Sequence, residues 1–67
     1  MEKFLVTTRD VRRNKQENTS GYYTFVGSVQ SIAWYLAEQP HEVLIASLPV
    51  EDDSVKILLE AGYQEKT

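Results

Sequence analysis

Three acids in a row, Glu51, Asp52 and Asp53, follow Pro49 and Val50, and adjacent carboxylates are the side chains that hold a magnesium ion beside a phosphate. The local geometry argues for a plainer role. Acids in the first turn of a helix lie favourably in its dipole, and neighbouring helical side chains diverge by about 100°, which keeps three consecutive carboxylates from converging on one ion. A metal-assisted enzyme at this cluster is therefore the weakest of the functional readings.

His41, the only histidine, sits between Pro40 and Glu42. A general acid or base needs a nucleophile or an orienting partner within hydrogen-bond reach, and nothing near His41 in the sequence identifies one. Alone it cannot anchor a zinc centre. The chain has no cysteine, which removes disulfides and thiolate metal sites. It has no G-x-S-x-G elbow, no phosphate-binding glycine loop and no H-E-x-x-H pair. The sequence thus leads us to expect no catalytic residue, no cofactor and no metal, and a non-enzymatic protein.

Binding chemistry is better represented. Arg9, Arg12, Arg13 and Lys15 are four of the seven basic side chains, and Tyr22 and Tyr23 follow them closely. Cations beside stacking aromatics are how a sequence-blind nucleic-acid binder presents itself. Against that, residues 1–20 carry five basic and three acidic side chains, a net +2, while residues 21–67 carry two and seven, a net −5. Most of the chain therefore repels phosphate. Strand alternation also sends Arg9 and Arg13 to one face and Arg12 to the other, dividing the cations that counterion release would need aligned. A charged hairpin that resists aggregation, or that meets an acidic protein surface, fits this pattern better. Four tyrosines and one tryptophan, types enriched at interface hot spots, add Trp34 and Tyr35 to the candidate contacts.

These residues must be held by a short chain. Sixty-seven residues make one domain, read as a single α+β domain over 1–67, and a core of this size supplies only about 3 to 5 kcal/mol. With disulfides and metal set aside, a second subunit is the expected supplement, and a homodimer the preferred assembly. The 42% hydrophobic and 25% charged content is that of a folded globule. No apolar run approaches the roughly 20 residues of a membrane span, so no membrane partner and a cytoplasmic location are expected.

Residues 3–11 are rich in β-branched and aromatic types and read as a strand, 13–21 as a polar loop, and 22–27 as a second strand, together an antiparallel hairpin. Ser28 is the expected N-cap of a helix over 29–38, whose apolar stripe is Val29, Ile32, Ala33, Leu36 and Ala37. Trp34 and Tyr35 fall about 140° and 240° from Val29. They would flank the core, and a tryptophan on the shoulder of so small a domain usually packs into it. Residues 42–48 read as a strand covered on both sides or central in the sheet, closed by Pro49. A second helix covers 52–61, with Gly62 at C′ and Tyr63 at C″, and its wide apolar arc leaves a spare face for a second subunit. The last residues, 64–67, are expected to fray.

The expected fold is a small single-layer β-sheet of three strands, an N-terminal antiparallel hairpin plus one more, packed with two helices in the order β-β-α-β-α. In size, lack of cysteine and lopsided charge the chain resembles the small accessory proteins that phages and other mobile elements encode to bind and modulate a host protein. That likeness implies a protein partner and assigns no residues; from the hairpin and the aromatic side chains themselves, the expected contacts are Arg9, Arg12, Arg13, Lys15, Tyr22, Tyr23, Trp34 and Tyr35. A nucleic-acid-binding protein using the basic hairpin is the alternative.

Overall fold

The β-branched and aromatic runs near the N-terminus do form strands, and the computed structural model, which describes residues 2–12 and 21–66, shows what they pair with. The elements are β1 (Lys3–Asp10), β2 (Tyr22–Gly27), α1 (Val29–Glu38), β3 (Glu42–Val50), α2 (Asp52–Glu60) and β4 (Gln64–Lys66). Together they make an α+β fold with two helices and one mixed sheet of four strands in the order β3-β1-β2-β4. The 13–20 part of the expected loop, Arg13 and Lys15 included, lies outside the described residues.

β1 is the centre. It pairs antiparallel with β2, Thr8 opposite Tyr23 and Val6 opposite Phe25, and antiparallel with β3 on its other side. Facing residues of paired strands share a face, so Val6, Thr8 and Asp10 lie on the same side of the sheet as Tyr23 and Phe25. α1 covers that side, its Tyr35 ring 5.1 Å from Phe25. Val26 points to the other side and is fully buried there. Among the described residues the buried hydrophobic side chains are Val6, Phe25, Val26 and Val55. Four such residues make a thin core even for this length.

Three expectations about the sheet are overturned. The run Glu42–Val50 is an edge strand, neither central nor covered, and Val43–Pro49 are all exposed. An unbroken apolar run suits a central strand, but β1 already takes both partners. Pro49 does not close β3 but pairs with Phe4 inside it, which an edge permits because proline's missing N–H can face outward. The terminal residues do not fray either: Gln64–Lys66 add a fourth strand parallel to β2. Gln-Glu-Lys has little intrinsic β preference, and distant partners fix it. Lys3 Nζ lies 2.6 Å from Glu65 Oε2, and Tyr23 donates to Gln64 Oε1 at 2.9 Å.

The helix spans match the sequence more closely than the helix faces do. Ser28 caps α1, its Oγ accepting from Ser31 N–H at 3.3 Å. α2 ends as anticipated: Tyr63 N–H donates to Leu58 and Gly62 N–H to Leu59, with Gly62 at φ 108, the left-handed turn that favours glycine. Asp52 and Asp53 occupy its first turn, and Glu51 stands at the cap position without a side-chain bond. The buried residue of α1, however, is Ser31, with Val29, Ala33 and Ala37 exposed. The helix is rolled toward its Ser31–Tyr35 line. Small groups explain the roll, since a Cβ on Gly27 would stand only 3.4 Å from Ser31 Cβ; the helix settles where Ser31 meets that glycine.

Candidate functional site

Rolling α1 leaves its apolar shoulder open beside β3. Phe4, Val29, Ile32, Ala33, Leu36 and Leu44 line an apolar groove of ≈ 310 Å³ with Ser47 at its rim. A bulge between Thr7 and Thr8 omits Ile45 from the pairing and shifts the alternation of β3 by one. Leu44 and Ser47 consequently both face α1 although their numbers differ in parity, while Val43 and Leu48 face the other way. The outer edge of β3 thus offers backbone groups flanked by apolar side chains on both faces. Val43, Leu44, Ile45 and Leu48 are between 41% and 61% exposed, and no charged residue interrupts Val43–Val50.

A polar cup of ≈ 280 Å³ opens at the other end of the same strand, lined by Asp10, Gly21, Tyr22, Tyr23, Tyr35, His41 and Glu42. Backbone bonds assemble it. Asp10 N–H donates to Gly21, Val11 N–H to His41 and Glu42 N–H to Gln39, each at 2.9 Å, which joins the end of β1 to the turn between α1 and β3. Glu42 is buried, a costly position for a carboxylate without partners. Thr8 donates to its Oε1 at 2.8 Å and Tyr35 to the same oxygen at 3.1 Å. Burial, reinforced by that bond to a carboxylate, pushes the Tyr35 phenol up to about 12.

Asp10 is engaged from outside the cup. Arg12 places Nε 3.2 Å from one carboxylate oxygen and Nη2 3.3 Å from the other, and its backbone N–H donates to the first at 2.9 Å. These bonds hold the Asp10 carboxyl below the usual carboxylate range and push the Arg12 guanidinium up. Asp10, His41 and Glu42 each bring one potential ligand atom within 4.8 Å of the others. The sequence marks this group only by the His-Glu pair at a helix-to-strand turn, because Asp10 comes from another strand.

The candidate contact residues that are described are scattered over the molecule. Arg9 faces away from α1, its guanidinium 6.0 Å from the Tyr22 ring centre, while Arg12 folds back on Asp10. Tyr23 and Tyr35 belong to an internal aromatic cluster with Phe25, with centroid separations of 5.1 to 6.1 Å, capped by the Lys66 ammonium. Trp34 does not join the core: it is 64% exposed. Among the described residues no metal-competent group forms at Glu51, Asp52 and Asp53. No helix is long and apolar enough to cross a membrane. Comparison with family models, curated proteins and solved structures found no match.

Proposed function

We propose that the chain is a non-enzymatic protein-interaction module that works by strand addition at β3, and that its first partner is a second copy of itself. One observation carries this reading: an edge strand exposed from Val43 to Pro49 with no charge along it. Folded monomers shorten, charge or cover such edges because unpaired backbone groups recruit another strand. The bulge at Ile45 interrupts the edge and Pro49 lacks an N–H to offer, but neither closes the edge. Incoming backbone would supply the hydrogen bonds, and side chains on one of its faces would enter the groove between Leu44 and Val29.

A second copy is favoured over an unrelated peptide because β3 is complementary to itself. Laid antiparallel across a two-fold axis, two copies of the uncharged Val43–Val50 stretch place mostly apolar residues against one another on both faces and produce a continuous eight-stranded sheet. The thin core gives the association its driving force. Trp34 then remains on α1 for a host partner of the kind that the sequence suggests. Sedimentation equilibrium at micromolar concentration tests the assembly: the chain should weigh as a dimer and Ile45→Lys as a monomer. A monomeric parent chain, or a dimeric Ile45→Lys variant, rejects β3 as the interface.

A further inference from the structure

The cup at the start of β3 has the composition of a cation site. We infer that Asp10, His41 and Glu42 bind a divalent first-row transition metal of the zinc class, held by one imidazole and two carboxylates. Imidazole together with carboxylate suits zinc better than magnesium, which prefers oxygen alone.

Glu42 is the most prepared of the three ligands. It is about nine-tenths buried, and both hydroxyl donors, Thr8 and Tyr35, go to Oε1. Among the described residues no side chain donates to Oε2. An oriented carboxylate with one oxygen tied and the other open is the support that outer hydrogen bonds give a metal ligand. His41 makes no side-chain hydrogen bond among the described residues, so its ring can turn without breaking one. The ligand atoms, within 4.8 Å of one another, must close to about 3.3 Å for bonds of about 2.0 to 2.1 Å in a tetrahedral set. The Asp10 and His41 side chains would have to rotate to close that difference.

Arg12 is the resident competitor. Its guanidinium neutralises Asp10 from the solvent side, and its side chain is 68% exposed, so it can swing away when a metal takes the carboxylate. Three protein ligands leave a fourth position facing the cup, open to water or a small anion. The metal would also join the end of β1 to the beginning of β3, stapling a cysteine-free fold at its polar end.

The test uses the full, untagged chain stripped with a chelator, titrated with zinc chloride against a chromophoric chelator, with magnesium chloride as a parallel arm. One zinc per chain is expected, with affinity in the micromolar range or tighter and a melting temperature raised by several degrees in excess zinc. His41→Ala, checked for an unchanged far-ultraviolet spectrum, should weaken binding at least tenfold. Arg12→Ala should tighten it severalfold by removing the competitor. Zinc binding unaltered by His41→Ala, weak unsaturable uptake, looser binding in Arg12→Ala, or equal binding of magnesium would each overturn the assignment. Because dimer mass is read separately by sedimentation, loss of the metal site leaves the β3 interface standing, and the converse holds too.

Discussion

Tyr35, at the end of α1, donates its phenolic hydrogen to Glu42 Oε1 across 3.1 Å, and this bond joins the helix to the first residue of the edge strand. The same ring packs on Phe25 and Tyr23, so one residue holds the roll that the Ser31–Gly27 contact allows and lines the cup. The roll has a second effect at the other end of β3. By directing the Ser31–Tyr35 line inward it turns Val29 and Ala33 out, and the groove beside Leu44 exists because of it.

Glu42→Ala should destabilise the chain by about 2 kcal/mol, because it leaves the Thr8 and Tyr35 hydroxyls without their acceptor in a buried place. Glu42→Gln keeps an acceptor oxygen and should lose less than half as much. Urea denaturation of the two variants beside the parent chain measures this. Equal midpoints for Glu42→Ala and the parent would show that the carboxylate contributes nothing net.

Stability should fall at high pH through Tyr35. Its folded-state value is raised to about 12 from the ordinary 10.0, so the folded chain keeps a proton that the unfolded chain releases first. The contribution is complete below about pH 10 and is lost as pH rises from there through about 12. In chelator-treated protein, near-ultraviolet absorbance should show a late phenolate step from Tyr35 near pH 12. Tyr35→Phe should remove that late step. A high-pH absorbance change left intact by Tyr35→Phe would contradict it.

Gly27→Ala should cost about 1 kcal/mol and loosen β4 first. An added Cβ would lie 3.3 Å from the Lys66 carbonyl oxygen and 3.4 Å from Ser31 Cβ, so either β4 or α1 must give way. β4 is short and pairs only with β2, which makes it the softer side. Amide exchange at Gln64–Lys66 should accelerate more than exchange in β1, and a uniform change across both strands would argue against this mechanism.

Features set by neighbouring residues were legible in the sequence. Ser28 and Pro40 bracket α1 as their backbone chemistry requires, and Gly62 ends α2 in the left-handed turn foreseen for it. Features set by distant partners were not. The run Val43–Leu48 carries no mark that separates a central strand from an edge, since both bury or expose the same side chains depending on what lies beside them. The Gln64–Lys66 strand depends on Lys3 and Tyr23. Periodicity located α1 but turned its face by part of a turn: Ile32 and Leu36 of the expected stripe are half-buried while Val29, Ala33 and Ala37 are exposed, because the contact of Ser31 with Gly27 and the bond from Tyr35 to Glu42 outweigh burial of Val29. The cup escaped notice for the same reason: Asp10 reaches His41 and Glu42 only through the β1–β3 pairing.

Lys66 gives the sharpest test of whether β4 is a working part of the fold. Its ammonium lies 4.8 Å from the Tyr35 ring centre, 5.2 Å from Tyr23 and 5.6 Å from Phe25, so one cation faces three ring systems that also form the core beneath α1. Each contact is within the range where the negative face of an aromatic ring attracts a cation. Lys66→Met keeps the apolar stem and removes the charge, and should cost about 1 kcal/mol. Lys66→Arg keeps the charge and should cost less. Removing the ring partner first, with Tyr35→Leu, should shrink the effect of Lys66→Met, and the coupling from that double-mutant cycle isolates the cation–ring attraction from general packing. Zero coupling would mean that Lys66 merely lies over the cluster and that the backbone pairing with β2 holds β4 in place.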